Sequence, residues 1–211
     1  MRGIFITLEG PEGAGKSSQA KRLAAALRRA GRRVVTVRDP GATRLGLQLR
    51  RMLLHRHALK LSSMTEAMLF IAGRIQLVDE RIRPALAQGA VVICDRFHDS
   101  TVSYQGFGGG ADVAWLDQMG RHAIGGLMPD LTIVLDVPPS VGFARLRRSR
   151  DRMESKHAAF YRRVRQGFLT LARCEPRRIR VIDAAQSPSA VAAAILRGVR
   201  PLLPTRHASR S

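Results

Sequence analysis

Residues 10–17 read Gly-Pro-Glu-Gly-Ala-Gly-Lys-Ser and match the spacing G-x-x-x-x-G-K-S/T. An apolar, β-favouring run precedes them at residues 3–9, and Leu and Ala recur at helical spacing at residues 18–30. A glycine-rich turn between a strand and a helix directs several backbone N–H groups at one point, and the helix dipole favours an anion there. We expect Lys16 to reach the β- and γ-phosphates and the Ser17 hydroxyl to ligate Mg²⁺. The stretch predicts a nucleoside triphosphate site.

Length and composition limit the class of protein. A chain of 211 residues fits one domain with a full core. Its apolar runs are much shorter than the ~20 residues that a membrane span needs. The N-terminus leads straight into the first predicted strand, so we expect no signal peptide. Cys94 and Cys174 form no C-x-x-C pair. The apolar surroundings of Cys94 predict a buried reduced thiol and a cytoplasmic protein.

The formal net charge of +20 is unusually high. A nucleic-acid or membrane-surface partner is one interpretation, because clustered cations release counterions from a polyanion. However, the 36 basic residues include only four lysines, and the arginines are spread over the whole length. This bias is typical of a GC-rich genome. We therefore expect neither a nucleic-acid nor a membrane partner.

The apolar pattern predicts five buried parallel strands with helices between them. The strands are expected at residues 4–8, 34–37, 91–94, 131–135 and 179–182. The helices are expected at residues 15–30, 43–54, 64–88, 113–124, 140–148, 155–174 and 187–196. The pattern predicts a doubly wound three-layer α/β fold of the P-loop NTPase kind, with ligands at the carboxyl ends of the strands. We expect one domain over residues 1–200 and a disordered tail over residues 201–211.

Charged residues follow the predicted strands. Asp95 ends an apolar strand, the Walker-B pattern, and can contribute to a Mg²⁺ shell. Asp136 is a rival for that role, although capping of the following turn is the favoured interpretation. Arg96 adjoins Asp95 and can bind a phosphate in a bidentate manner. The structural alternative is an ion pair of Arg96 with Asp95 or Asp99.

Two further clusters have less specific spacing. Glu66, Phe70 and Arg74 lie at i, i+4 and i+8, so they share one helix face. A stacking platform for a flat base is one interpretation, but spacing alone favours a core Phe with an Arg that extends to solvent. Five arginines lie at residues 145–152. They are a solvated face or a lid over a migrating phosphoryl group.

Taken together, the motifs resemble the thymidylate kinase family, and the resemblance covers nearly the whole chain. Residues 8–17 resemble its bacterial P-loop, 38–43 its R-E-P-G-G-T loop, 66–74 its E-x-x-L-F-x-A-x-R motif, and 95–106 its D-R-Y/F-x-x-S-x-x-A-Y-Q-G motif. Residues 129–137 and 151–154 fit as well. The sequence also lacks the N-K-x-D motif of GTPases.

The resemblance implies MgATP-dependent phosphorylation of dTMP to dTDP, and a homodimer. It assigns thymine stacking to Phe70 and places Thr101 and Gln105 beside the base, with Arg74 bonding to it. Further implied dTMP contacts are Glu12 near the 3′-hydroxyl, Tyr104 at the sugar 2′ position, Asp39 in the acceptor loop, and Arg50 and Arg96 on the acceptor phosphate. The ATP phosphates would contact Gly10, Pro11, Glu12, Gly13, Ala14, Gly15, Lys16, Ser17 and Ser18. Mg²⁺ would bind Ser17 and Asp95.

Catalysis would rest on Lys16, Asp95 and Arg96 together with arginines of the lid. Because position 13 is Gly in the bacterial type, the lid at residues 145–154 would supply the catalytic arginine, from Arg148, Arg150 or Arg152. The chain departs from the family pattern at Asp39, Ala42, Ser103 and Gly109, and its lid is short. Two alternatives therefore stay open. One is a kinase for another nucleoside monophosphate. The other is a weakly active or non-catalytic P-loop paralogue associated with a polyanion.

Overall fold

The computed structural model describes residues 3–54, 60–146 and 157–203. Five parallel strands form one sheet in the order β2-β3-β1-β4-β5. They are β1 (Ile4–Glu9), β2 (Val34–Arg38), β3 (Val91–Asp95), β4 (Leu131–Asp136) and β5 (Ile179–Asp183). All five predicted strands are confirmed, and each extends one residue further than predicted. The α/β doubly wound fold is confirmed with them.

Helices cover both faces of the sheet. The α-helices are α1 (Lys16–Arg29), α2 (Arg44–Leu54), α3 (Ser63–Leu77), α4 (Arg83–Ala87), α5 (His98–Thr101), α6 (Val113–Ala123), α7 (Pro139–Ala144), α8 (Ala158–Cys174) and α9 (Pro188–Val199). Among the described residues, two π-helical segments, Val78–Ile82 and Val102–Gly108, and a 3₁₀ turn, Arg200–Leu202, complete the helices. No helix in these described ranges combines the length and the apolar character that crossing a bilayer requires.

The core explains why the strands read as continuous apolar runs. Side chains of β1 alternate between faces. Ile6 and Leu8 pack in the cluster that includes α1 and α9 residues, whereas Phe5 packs in the cluster under α3 and α4. A third cluster joins the π-helical segment 102–108 to α8. Because helices bury both faces of β1, β3 and β4, both sets of side chains in these strands are mostly apolar. The prediction that all five strands are buried is wrong for the edge strands β2 and β5, which are partly exposed.

Two helical predictions differ from the structure. The long helix expected at residues 64–88 is divided into α3, Val78–Ile82 and α4. Pro84 lacks the N–H that a continuous α-helix needs there, and the π-helical turn lies directly before it. The helical segment 98–108 was not predicted, because its polar residues and its two glycines at 106 and 108 carry no helical apolar period.

The end of the chain also differs from the expectation. Leu202 and Leu203 pack against the core beside α1 and α9. The tail predicted from residue 201 therefore begins too early, because these two apolar side chains have a surface to cover. Residues 204–211 lie outside the described residues.

Candidate active site

The glycine-rich loop joins β1 to α1. Gly15 caps α1 with φ 86°, a left-handed conformation that glycine adopts without strain. Gly13 has φ 69°, and a Cβ atom there would lie 1.8 Å from the carbonyl oxygen of Gly142 on α7. Position 13 therefore has no room for a side chain, whether arginine or any other. The close approach places α7 directly against the glycine-rich loop.

Lys16 is buried at the first turn of α1. Its Nζ donates to the carbonyl oxygens of Gly10 at 3.0 Å and Pro11 at 2.7 Å, so the side chain folds back across the loop. Burial, and then the nearby charge of Arg96, lower the pKa of Lys16 to about 8, while Glu12 acts in the opposite direction. The structure thus places an ammonium group inside the loop that was predicted to hold phosphates.

Asp95 and Arg38 end the neighbouring strands β3 and β2, where they are register partners. Ser17 Oγ donates to Asp95 Oδ2 at 2.5 Å, and Arg38 Nη2 donates to the same Oδ2 at 2.8 Å. Burial alone would raise the pKa of Asp95, but Lys16, Arg38 and the Ser17 hydrogen bond lower it below its ordinary value. Asp95 is therefore a carboxylate at neutral pH. The sequence motifs predicted no contact for Arg38.

Asp136, the rival that its strand-terminal position suggested for the metal role, is held elsewhere. It accepts two hydrogen bonds from Arg165 of α8, with Nε to Oδ1 at 2.7 Å and Nη2 to Oδ2 at 2.8 Å. This bidentate pairing occupies both carboxylate oxygens. The structure therefore favours Asp95 as the carboxylate next to Ser17.

Arg96 follows β3 with φ 69°, which is uncommon for a residue other than glycine. Its Nη1 donates to Gly10 O at 3.1 Å and Ser100 Oγ at 3.0 Å, and its Nη2 donates to Glu12 Oε1 at 3.0 Å and Tyr104 Oη at 3.1 Å. The predicted alternative, an ion pair of Arg96 with Asp95 or Asp99, is wrong. Asp95 pairs with Arg38 and Asp99 pairs with Arg178, whereas Arg96 pairs with Glu12. The Arg96 guanidinium therefore joins the glycine-rich loop to the segment 98–108.

Glu9 stabilises the turn that follows Arg96. It was not among the site residues predicted from the sequence. Its carboxylate accepts from the Phe97 backbone N at 2.6 Å and from Ser100 Oγ at 2.5 Å. Burial, and then the negative charge of Asp99, raise the pKa of Glu9 to about 7. The available signal was its place at the carboxyl end of β1, directly before the loop. The two hydrogen bonds fix the turn on which Arg96 stands.

A second group of predicted residues, Asp39, Phe70, Arg74 and Thr101, also lines the cavity. Arg74 is buried, and its Nε donates to Asp39 Oδ2 at 2.5 Å while Nη2 donates to Thr101 Oγ1 at 2.8 Å. Its guanidinium also lies 5.4 Å from the centre of the Phe97 ring. Phe70 is half-buried and lines the cavity. The interpretation from spacing alone, a core Phe with an Arg extending to solvent, is therefore wrong.

Tyr104 and Gln105 come from the unpredicted π-helical segment. Tyr104 Oη donates to Glu12 Oε2 at 2.5 Å, and Gln105 Nε2 donates to Glu66 Oε2 at 3.2 Å. The neighbouring Ser103 is fully buried, and its hydroxyl has no hydrogen-bond partner among the described residues. This departure from alanine therefore buries a hydroxyl without compensation.

The departure at Gly109 has a steric basis. A Cβ atom there would lie 2.3 Å from Ser63 Oγ and 2.8 Å from the Gln105 carbonyl oxygen. The Ser63 hydroxyl also donates to the Gly109 carbonyl at 2.9 Å. The start of α3 thus occupies the space that a larger residue at position 109 would need.

One cavity of about 1030 Å³ brings most of the predicted site together. Its lining includes Glu12, Gly13, Ala14, Gly15, Lys16, Ser17, Ser18, Asp39, Arg50, Phe70, Arg74, Asp95, Arg96, Thr101, Tyr104 and Gln105. Gly10 and Pro11 contribute the carbonyls that hold Lys16 instead. Arg145 lines the cavity and donates to the Ala184 carbonyl oxygen at 2.7 Å. Arg148, Arg150 and Arg152 lie outside the described residues.

A cavity of this size, lined by a glycine-rich loop and by a buried arginine beside an aromatic ring, can hold two nucleotides at once. With the five-stranded parallel sheet, this geometry defines the class of P-loop nucleotide kinases. A family model described as thymidylate kinase matches residues 8–195. The chain belongs to the thymidylate kinase family, and it is a nucleoside monophosphate kinase.

Individual relatives agree with this assignment. A thymidylate kinase from Synechococcus sp. is 48% identical over 207 residues, which cover 98% of this chain and 99% of the relative. One from Thermomicrobium roseum is 50% identical over 194 residues, covering 90% and 91%. The crystal structure of thymidylate kinase from Ehrlichia chaffeensis superposes with a TM-score of 0.77 at 34% identity, covering 94% of this chain and 99% of that one.

Proposed function

We propose that this protein transfers the γ-phosphoryl group of ATP to the phosphate of dTMP, giving dTDP and ADP. One observation carries the proposal. The glycine-rich loop and the Phe70–Arg74 pair line the same cavity of about 1030 Å³, which Arg96 also lines while it bonds to the loop. Two nucleotides held in this way can bring donor and acceptor phosphates into contact, which supplies much of the rate of such a reaction.

The chemistry requires charge neutralisation rather than a general base. The acceptor phosphate has a second pKa of about 6, so it is largely dianionic at neutral pH. Lys16 would bind the β- and γ-phosphates, and Arg96 would exchange part of its present contacts for the acceptor phosphate, together with Arg50. Fixed positive groups in a cavity that excludes water stabilise the charge of the transferring phosphoryl group.

The residues around Asp95 fit a magnesium ion. Asp95 Oδ2 and Ser17 Oγ lie 2.5 Å apart at the edge of the cavity and are hard oxygen donors of the kind that Mg²⁺ prefers. The described residues contain no group of three or more His, Cys, Asp or Glu placed to hold a metal. Mg²⁺ usually binds through one or two protein oxygens together with phosphates and waters, so two donors suffice. When bound, Mg²⁺ neutralises charge on the phosphates.

The acceptor pocket offers polar atoms that suit a thymine base. Arg74 Nη1 and Asp39 Oδ1 are buried, and neither has a hydrogen-bond partner in the described structure. They provide a donor and an acceptor, which the imide edge of thymine complements with a carbonyl and an N–H. Phe70 would stack on the base, with Thr101 and Gln105 beside it. Glu12 would contact the 3′-hydroxyl, and Tyr104 would exclude a 2′-hydroxyl.

The lid assignment stays a proposal. We assign one kinase domain that extends at least to Leu203, which packs on the core, with residues 145–154 as its lid and Arg148, Arg150 and Arg152 as the catalytic candidates. The contact of Gly142 with the glycine-rich loop supports a lid at this place, because it joins α7 to the phosphate site. Single alanine variants of the three arginines, each measured for kcat, would identify the dominant one.

A panel of acceptors tests the function directly. With ATP as donor, we expect rapid ADP release with dTMP and much slower release with dUMP, UMP, CMP, AMP and GMP. Faster turnover of another acceptor would favour the alternative nucleoside monophosphate kinase. ATP binding without dTMP-dependent ADP release would favour a non-catalytic paralogue. Phe70→Ala should raise the KM for dTMP far more than the KM for ATP.

We also propose a homodimer. Leu45 and Met52 lie seven residues apart on α2, and they are 38% and 44% exposed. Trp115 on α6 is 45% exposed, and both helices contact α3. A second copy of the chain would cover these apolar side chains. Size-exclusion chromatography with light scattering should give twice the chain mass of 23.2 kDa. Met52→Glu should shift the protein towards the monomer.

Two expectations from composition remain predictions. We propose that the high arginine content reflects genome composition and not a nucleic-acid partner. A DNA gel at physiological ionic strength should show no shift, and a salt-dependent shift would overturn this proposal. We also propose a cytoplasmic location, because the chain has only two cysteines and they form no C-x-x-C pair. Subcellular fractionation tests it.

A further inference from the structure

The guanidinium of Arg38 contacts the two groups that we assign to Mg²⁺. Its Nη2 donates to Ser17 Oγ and to Asp95 Oδ2, the latter at 2.8 Å. Its Nε donates to the same Oδ2 at 3.2 Å. The Ser17 hydroxyl completes the set with its own hydrogen bond to Oδ2 at 2.5 Å. One carboxylate oxygen therefore accepts from three donors, and two of them belong to Arg38.

The backbone fixes where Arg38 stands, but its end can leave. Arg38 and Asp95 are register partners at the carboxyl ends of β2 and β3. The Asp95 side chain is only 8% exposed, whereas that of Arg38 is 45% exposed. The guanidinium can therefore turn into the cavity or towards solvent without opening the core.

A divalent cation needs the same atoms. Mg²⁺ requires near-octahedral oxygen ligands at about 2.0–2.1 Å. Asp95 Oδ2 cannot face a dication while two N–H groups of a guanidinium point at it, and two cations at one oxygen repel each other. We propose that Arg38 and the divalent cation bind the Asp95–Ser17 pair alternately, so that Arg38 is the built-in competitor of the metal. This inference rests on the proposed assignment of Mg²⁺ to Ser17 and Asp95.

The competition affects both the affinity for the metal and the position of the Arg38 guanidinium. Loss of the Arg38 guanidinium removes two of the three donors to Asp95 Oδ2 together with their positive charge, so the metal should bind more tightly. A displaced guanidinium, in turn, carries its charge to another part of the cavity. If Arg38 served only as a ligand of the acceptor phosphate, its loss would weaken dTMP binding and leave the metal affinity unchanged.

Metal binding is measured without turnover. Mn²⁺ is titrated into the protein with saturating ADP and no dTMP, and free Mn²⁺ is followed by electron paramagnetic resonance, with the Mn²⁺–ADP constant determined separately. We compare Arg38→Met with Arg51→Met. Arg51 lines the same cavity from α2, so its loss changes the cavity charge equally. Arg38→Met should tighten Mn²⁺ binding about five- to tenfold, and Arg51→Met by less than about twofold.

Equal or weaker Mn²⁺ affinity in folded Arg38→Met, compared with Arg51→Met, overturns the proposal. So does a wild-type protein that holds no Mn²⁺ beyond the Mn²⁺–ADP complex itself. Circular dichroism checks the fold, and Arg38→Gln replaces Arg38→Met if the latter does not fold. A different result would contradict the proposed function but not the alternation of Arg38 and the metal. That result is tight Mn²⁺–ADP binding with the expected Arg38 effect but no phosphorylation of dTMP.

A measurement on the wild-type protein is independent of any folding defect. The Nε–H resonance of Arg38, assigned by its loss in Arg38→Gln, is followed by ¹⁵N nuclear magnetic resonance in the ADP complex. Adding Mg²⁺ should make this proton exchange faster with water, because its hydrogen bond to Asp95 is replaced. An unchanged exchange rate at saturating Mg²⁺ contradicts the alternation.

Discussion

Two cations at the centre of the cavity carry the proposed catalysis. Lys16 and Arg96 approach from different elements, and both contact the Gly10 carbonyl oxygen. We predict that Lys16→Ala and Arg96→Ala each lower kcat by at least roughly a hundredfold, which is typical for the loss of one fixed electrostatic stabiliser. A coupled assay of ADP release measures the effect, with Arg51→Ala as the control. A loss of less than about tenfold would refute the role of the residue concerned.

Lys16 also predicts a pH dependence. Burial and Arg96 lower its pKa to about 8, so the ligand-free protein loses the ammonium charge as pH rises through that value. The ratio kcat/KM reports the free enzyme. We therefore expect kcat/KM for ATP, measured at dTMP concentrations well below its KM, to fall above about pH 8. The value of kcat should fall only at higher pH, because bound phosphates favour the charged form. A flat kcat/KM up to pH values well above 8 would show that this charge is not used.

At the scale of elements, a close approach of the two backbones joins the glycine-rich loop to α7. A Cβ atom on Gly142 would lie 2.2 Å from the carbonyl oxygen of Glu12. Gly142→Ala must therefore displace the loop or the helix. We predict higher KM values for both ATP and dTMP and a lower kcat, since Glu12 is proposed to contact dTMP and its neighbours the ATP phosphates.

Ser140→Ala is the matched control for that variant, because Ser140 is exposed on the same helix. Steady-state kinetics with each substrate varied in turn separates the two KM values. Thermal unfolding shows whether the fold survives. Unchanged kinetics in a folded Gly142→Ala protein would mean that α7 moves without consequence for the loop.

The elements differ in how far the sequence predicts them. Strands β1, β3 and β4 are buried on both faces, and the edge strands β2 and β5 are partly exposed but still mostly apolar in sequence. All five apolar runs are therefore conspicuous, and their ends are predicted within one residue. The segment 98–108 has the opposite character. Its Ser100, Thr101 and Gln105 are buried through specific hydrogen bonds and not through an apolar period. Tertiary contacts of this kind leave no periodic signal in a single sequence.

The site was predictable to the extent that its residues belong to motifs. Phe70 and Arg74 were identified by family resemblance, and spacing alone gave the wrong environment for both. Arg38 and Glu9 stand inside recognised motifs, yet their contacts arise from register and from a turn of the chain. Arg38 meets Asp95 only because β2 and β3 pair in parallel at their last residues. The sequence of one strand does not by itself specify its partner strand or the register of the pair.

At the scale of the whole molecule, charge is poorly balanced. The chain has 36 Lys and Arg against 16 Asp and Glu, which gives a formal net charge of +20. Buried carboxylates are matched locally: Asp39 pairs with Arg74, and Asp99 pairs with Arg178. The excess positive charge therefore lies mostly on other arginines, whose mutual repulsion opposes the compact state.

Salt should therefore stabilise the protein. Raising NaCl from about 20 mM to about 200 mM shortens the Debye length from roughly 20 Å to roughly 7 Å, which screens repulsion between distant exposed charges more than the buried pairs. We predict a higher Tm at the higher salt concentration, measured by differential scanning calorimetry without nucleotide. Sulfate and phosphate are omitted, because anions that bind the glycine-rich loop would raise Tm by mass action. Potassium chloride is the control for an ion-specific effect. A Tm that falls with salt would mean that exposed ion pairs outweigh the net repulsion of +20 charges.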